Sequence, residues 1–122
     1  MQKKIFSVPL AAITLGLALT GCGNDGSPSS GTKPVNVAAL VPADKEIADI
    51  YNRSCRSCHT IASTTAPLTG DTAAWEPRMA RGMDAMLDSV INGSGGMPPF
   101  GLCMDCDVEQ FEALINFMAT GK

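Results

Sequence analysis

Cys55-Arg56-Ser57-Cys58-His59 is the stretch on which the reading of this chain turns. Two thiols three positions apart on one helical turn can both reach the vinyl-derived carbons along one edge of a porphyrin. The residue that follows then places an imidazole over the iron. C-x-x-C-H is accordingly the attachment pattern for covalent haem. Cys55 and Cys58 are the expected thioether cysteines and His59 the proximal axial ligand, with its other ring nitrogen held by an acceptor in the fold.

Two other chemistries compete for the same residues. A second pair, Cys103 and Cys106, gives the chain two C-x-x-C units, as in a four-cysteine zinc module. Zinc ribbons separate such pairs by about 15–20 residues, and far more chain lies between Cys58 and Cys103. Zinc also leaves His59 without a role. A thioredoxin-like dithiol sits at the start of a helix in a βαβ setting, and no alternating, strand-like run precedes Cys55. Haem uses all three residues and is the reading carried forward.

The chain opens Met1-Gln2-Lys3-Lys4, runs apolar from Ile5 to Leu19 and closes on Leu19-Thr20-Gly21-Cys22. The run is shorter than the roughly 20 residues of a spanning helix and contains Pro9, so it reads as an export signal over residues 1–21. Its end resembles a bacterial lipobox, in which lipid is attached to the cysteine sulfur and cleavage leaves that cysteine first; here it is Cys22. The alternative is an ordinary signal peptide with an incidental cysteine. Residues 22–42 are rich in Gly, Ser, Pro and Asn without apolar periodicity and read as a tether, whose root-mean-square span is about 25 Å. Residues 43–122 remain as one small domain, of a size at which a buried haem supplies much of the core.

With Cys22 on lipid and Cys55 and Cys58 on haem, Cys103 and Cys106 are available to each other. An oxidising compartment outside the cytoplasm favours a disulfide there. Removing residues 1–21 takes two of the nine basic residues and none of the twelve acidic ones, which leaves seven against twelve. That balance argues against a nucleic-acid partner. Arg53, Arg56, Arg78 and Arg81 lie in the haem motif or around Trp75, so the charge is either polarised or simply scattered for solubility.

Helical patterns fill the domain. Asp44 to about Ser54 carries Ile47, Ile50 and Tyr51 at helical spacing behind a capping Asp44. Thr72 to about Arg81 and Met83 to about Asn92 read as two short helices, the second stopped by Gly93. Val108 to Ala119 shows an apolar stripe of Val108, Phe111, Leu114, Ile115 and Met118. Asp107 and Gln110 resemble a capping box before it, and Gly121 ends it. No strand is predicted.

His59 is the one histidine of the chain, so the sixth iron ligand is sought among the methionines. Met79, Met83 and Met86 lie in helices, Met118 on a core stripe, and Met104 between two cysteines. Met97 follows Gly93-Ser94-Gly95-Gly96 and precedes Pro98-Pro99, a loop that lets backbone approach the porphyrin and is stiffened beside the ligand. It is the favoured ligand, against a bland loop methionine and an open coordination site.

The helix into C-x-x-C-H, the turn Ala66-Pro67-Leu68-Thr69-Gly70-Asp71, Ala73 to Arg78 as Ala-Ala-Trp-x-x-Arg, Arg-Gly-Met-Asp, and Met97 to Cys106 as Met-Pro-Pro-x-Gly-x-Cys-x-x-Cys resemble cytochrome c5, a small class I c-type cytochrome. The resemblance covers Asp44 to Thr120. It implies an all-α fold of about four short helices around one covalent haem c, His59 and Met97 as axial ligands, a Cys103–Cys106 disulfide and respiratory electron transfer. It also implies, by position, the Pro67 carbonyl as acceptor for the His59 proton and Trp75 and Arg78 as propionate hydrogen-bond donors. The lipobox and tether depart from the soluble pattern of that family.

The chain is therefore expected to be an electron carrier and not an enzyme. It would sit lipid-anchored on the periplasmic side of an inner or outer bacterial membrane and exchange electrons with redox proteins such as membrane-bound reductase or oxidase complexes. The rival function is a haem enzyme or gas sensor with a displaceable sixth ligand.

Overall fold

A computed structural model of the chain describes residues 36–122. Residues 1–35, with the signal, Cys22 and most of the tether, lie outside the described residues. Asp44 starts α1 (Lys45–Ile50) by accepting the Ile47 N–H at 3.0 Å, which satisfies one of the orphan donors of the first turn. The helix does not stop there. It widens into a π-helical turn, Tyr51–Cys55, where the Arg56 N–H reaches back to the Tyr51 carbonyl, and tightens again as α2 (Arg56–His59). The haem motif thus lies at the join, the kind of place where π-turns cluster in functional helices.

The helix α3 (Thr72–Met79) is capped by Asp71 through the Ala74 N–H and ends before Arg81, shorter than its sequence pattern suggests. Arg81 instead turns its guanidinium onto Ser89 of α4 (Met83–Asn92). The final helix, α5 (Val108–Thr120), has the reciprocal Asp107–Gln110 capping box and a left-handed Gly121 at its end. Its buried face carries Phe111, Leu114, Ile115, Phe117, Met118 and Ala119, while Val108, part of the predicted stripe, is 45% exposed in the first turn. Among the described residues there is no strand, only an isolated bridge between Ser94 and Met97.

The core forms where α5 meets α1, α3 and α4. Tyr51 and Phe117 pack edge to face with ring centroids 5.0 Å apart, and Trp75, Met86 and Val90 complete the cluster. The folded unit begins before residue 43. Leu40 packs against the core, Pro42 is buried, and Arg56 donates to the Ala38 carbonyl. A Cβ on Gly70 would come within 2.9 Å of Leu40 Cδ1 and one on Gly121 within 3.3 Å, so two side-chain-free positions make the notch that receives it. No described helix is long and apolar enough to cross a membrane.

Candidate haem site

His59 ends α2, buried, with its Nδ1 2.8 Å from the Pro67 carbonyl oxygen. A carbonyl can only accept, so the proton resides on Nδ1 and the Nε2 lone pair is left for a metal. Burial depresses the imidazole pKa, and the charge of Arg78 does the same against the opposing pull of Pro67, which favours the neutral ring that metal ligation requires. The loop after α2 is fixed for this task. The Thr69 N–H donates to the His59 carbonyl at 2.8 Å, and the Thr69 hydroxyl shares a 2.9 Å hydrogen bond with the buried Tyr51 hydroxyl. Sequence reasoning missed Thr69, because nothing in a lone threonine marks it as fully buried and paired.

Trp75 lies against the imidazole, ring centroids 5.8 Å apart and planes 28° from parallel. Its indole N–H donates to the Leu68 carbonyl at 2.8 Å. Tryptophan has one donor, so the group that the resemblance implied for a propionate is engaged by the loop in the described fold. Two successive carbonyls, Pro67 and Leu68, thereby hold the histidine and the tryptophan in one arrangement. Arg78 is exposed and donates to the Ala74 carbonyl of its own helix, with its charge felt at His59.

Cys55 is partly buried and Cys58 exposed, and neither is in a disulfide. Burial is the main cause that pushes the Cys55 thiol up to about 11. A redox dithiol needs the opposite, a thiol made acidic by its surroundings. Near-apolar surroundings suit a sulfur that carries no charge, as in a thioether. The metal-competent cluster among the described residues gathers Cys103, Asp105 and Cys106 and includes neither Cys55 nor Cys58. The four-cysteine zinc alternative is therefore not assembled. The Cys103 and Cys106 sulfurs are at bonding distance with Cα atoms 5.4 Å apart, within the range for a disulfide.

Met97 is partly buried against the core at the close of a tight turn, with the Ser94 N–H donating to the Met97 carbonyl at 3.1 Å and the Met97 N–H to the Ser94 carbonyl at 3.0 Å. Gly93, at φ 80°, has no room for a side chain: a Cβ would lie 2.8 Å from the Met97 carbonyl oxygen. Of the competing methionines, Met79 and Met83 are partly buried against the core as Met97 is, but lie on helices. Met86 and Met118 are core, and Met104 is 73% exposed. Two thiols and a neutral imidazole on one turn, with a loop methionine held by glycine, form a donor set that fits covalent haem.

A family profile described as cytochrome c oxidase, cbb3-type, subunit III, matches residues 42–118. Over 73 residues the chain is 38% identical to cytochrome c5 of Ectopseudomonas mendocina, an alignment spanning 58% of this chain and 84% of the relative. Among solved structures it is similar to a mono-haem ferrocytochrome c from Shewanella putrefaciens, with 43% identity and a TM-score of 0.56 over 62% of this chain and 94% of that one. It is likewise similar to a chain of an electron transfer complex of nitrite reductase with cytochrome c, with 36% identity and a TM-score of 0.55 over 62% of this chain and 93% of that one. The helical fold, the C-x-x-C-H turn and these matches define a c-type cytochrome. Within the family that the profile represents, the chain belongs to the cytochrome c5-like class I members, which bind one haem c covalently and carry electrons instead of catalysing reactions.

Proposed function

We propose that the chain is a His/Met-ligated electron carrier tethered by lipid on the periplasmic side of a bacterial membrane. Haem, when bound, supplies the one-electron ferrous/ferric couple. Cys55 and Cys58 would attach it through thioethers, and His59, through Nε2, and Met97 would ligate its iron. The Pro67 carbonyl holds the His59 proton on Nδ1 and fixes the ring orientation. Arg78, exposed and electrostatically coupled to His59, is the side chain available to a propionate, and Trp75 packs the imidazole. A Cys103–Cys106 disulfide fixes the chain between the Met97 loop and α5.

The observation that carries this reading is the 2.8 Å contact of His59 Nδ1 with the Pro67 oxygen, at the end of the one helical stretch that bears both Cys55 and Cys58. It leaves the Nε2 of His59 available to a metal. Residues 1–21 export the chain, Cys22 takes the lipid, and the Gly-, Ser- and Pro-rich segment after it tethers the cytochrome domain. Redox proteins, including membrane-bound reductase or oxidase complexes, are its partners. The similarity to a cytochrome c crystallised with nitrite reductase supports a protein-to-protein transfer.

A redox titration of the purified holoprotein, followed by its reduced-minus-oxidised spectrum, tests the assignment. It is expected to show one covalent haem that titrates as a single one-electron step at the raised potential of His/Met ligation. Two-electron behaviour, or haem that solvent extracts from the protein, would refute the carrier reading.

A further inference from the structure

We propose that Arg53 is a positioning residue that locks the Met97 loop to the haem-attachment helix and sets how readily the sixth position opens. The inference rests on Met97 as the iron ligand. Arg53 stands in the π-helical turn, two residues before Cys55. Its Nη1 and Nη2 each donate to one carboxylate oxygen of Asp105 at 3.1 Å, and Nη2 also lies 3.2 Å from Cys103 Sγ. The pair has the fork-to-carboxylate geometry that gives an arginine contact directional hold. The other polar groups of the same cleft are spoken for: Lys45 pairs with Asp49, and the Gln110 amide donates to Glu46. Arg53 thus joins two segments about fifty positions apart in sequence, the turn that carries a thioether cysteine and the loop that follows Met97.

That loop is one that needs holding. Phe100, Gly101 and Leu102 have φ of 58°, 54° and 68°, three successive residues in the left-handed region of which two carry side chains. Such conformations persist only where the surroundings over-determine them. On one side the Ser94–Met97 pairing fixes the chain. On the other, Cys103 is 1% exposed and donates its N–H to the Phe100 carbonyl at 2.9 Å, with its sulfur against Arg53. The apex bears on the methionine itself, since a Cβ on Gly101 would sit 3.2 Å from Met97 Cε. A shift of residues 100–103 therefore moves the surface on which the methionine methyl rests. Releasing Arg53 from Asp105 loosens the downstream end of this strained segment while leaving the thioethers and His59 untouched.

The test is an imidazole titration of ferric holoprotein, followed by loss of the far-red charge-transfer band that sulfur ligation gives. Imidazole binds only the fraction of molecules whose sixth position is open, so its apparent affinity rises by the factor by which opening rises. For an exposed but bidentate ion pair the expected rise is about two- to five-fold in Arg53→Gln. Asp105→Asn is expected to give the same rise, and the double variant no more than either single one, the signature of one shared contact. Imidazole affinity unchanged in both single variants overturns the proposal even if their unfolding midpoints fall, because a merely structural pair would act there alone. Additive effects in the double variant also overturn it. If wild-type ferric protein lacks the far-red band altogether, it is the Met97 assignment that fails, and the lock fails with it.

Discussion

Met97→Ala is expected to retain its haem and lose its sixth ligand. Both thioethers and His59 lie on α1 through α2, outside the substituted loop, so covalent attachment and the proximal geometry survive. The ferric far-red band should vanish, and the potential should fall because a methionine sulfur no longer favours the ferrous state. The substitution also removes a half-buried side chain that packs against the core, at a cost near the lower end of the range for such truncations, about 2 kcal/mol. The stability loss and the spectral loss are separable. A variant that unfolds more easily but keeps the band would show that another group ligates the iron.

The second large effect concerns location. Cys22→Ser is expected to shift the protein from almost wholly membrane-bound to soluble, or to leave its precursor unprocessed, with the haem spectrum and potential unaltered. One acyl chain binds a bilayer marginally, whereas the several chains of a bacterial lipoprotein give stable attachment. Tethering raises the effective concentration of the domain near membrane partners without new contacts, so electron flux should drop at native expression and recover in part on overexpression. The measurement is fractionation with mass analysis of the mature N-terminus. Wild-type protein in the soluble fraction with no lipid mass on Cys22 would refute the anchor.

Local signals made most of the fold legible. The Asp107–Gln110 capping box and Gly121 bracket α5 as their chemistry requires, and Met83–Asn92 is bounded as its apolar face and Gly93 imply. At the site, the resemblance of the turn around Pro67 to that of cytochrome c5 implies its carbonyl as the acceptor for His59, and that oxygen lies 2.8 Å from His59 Nδ1. What stayed hidden was set by tertiary contact. The π-turn leaves no mark in sequence because a change from i−4 to i−5 pairing alters no residue type. Docking of residues 37–42 depends on a notch made by Gly70 and Gly121, which are far apart in the chain and close in space. The grip of Arg53 on Asp105 likewise joins segments that no periodicity connects. The indole N–H of Trp75 donates to the Leu68 carbonyl, a contact that depends on a loop path and not on composition.

With His59 and Met97 as ligands, the iron would have no axial position left open and would serve electron transfer alone. Exposure of the dithionite-reduced wild-type holoprotein to carbon monoxide tests this most directly, since carbon monoxide binds ferrous haem wherever an axial position is free or readily vacated. The reduced spectrum is expected to be unchanged by the gas in wild type, with a carbon monoxide adduct forming in Met97→Ala. A carbon monoxide shift in the wild-type spectrum would contradict it and favour a haem enzyme or gas sensor.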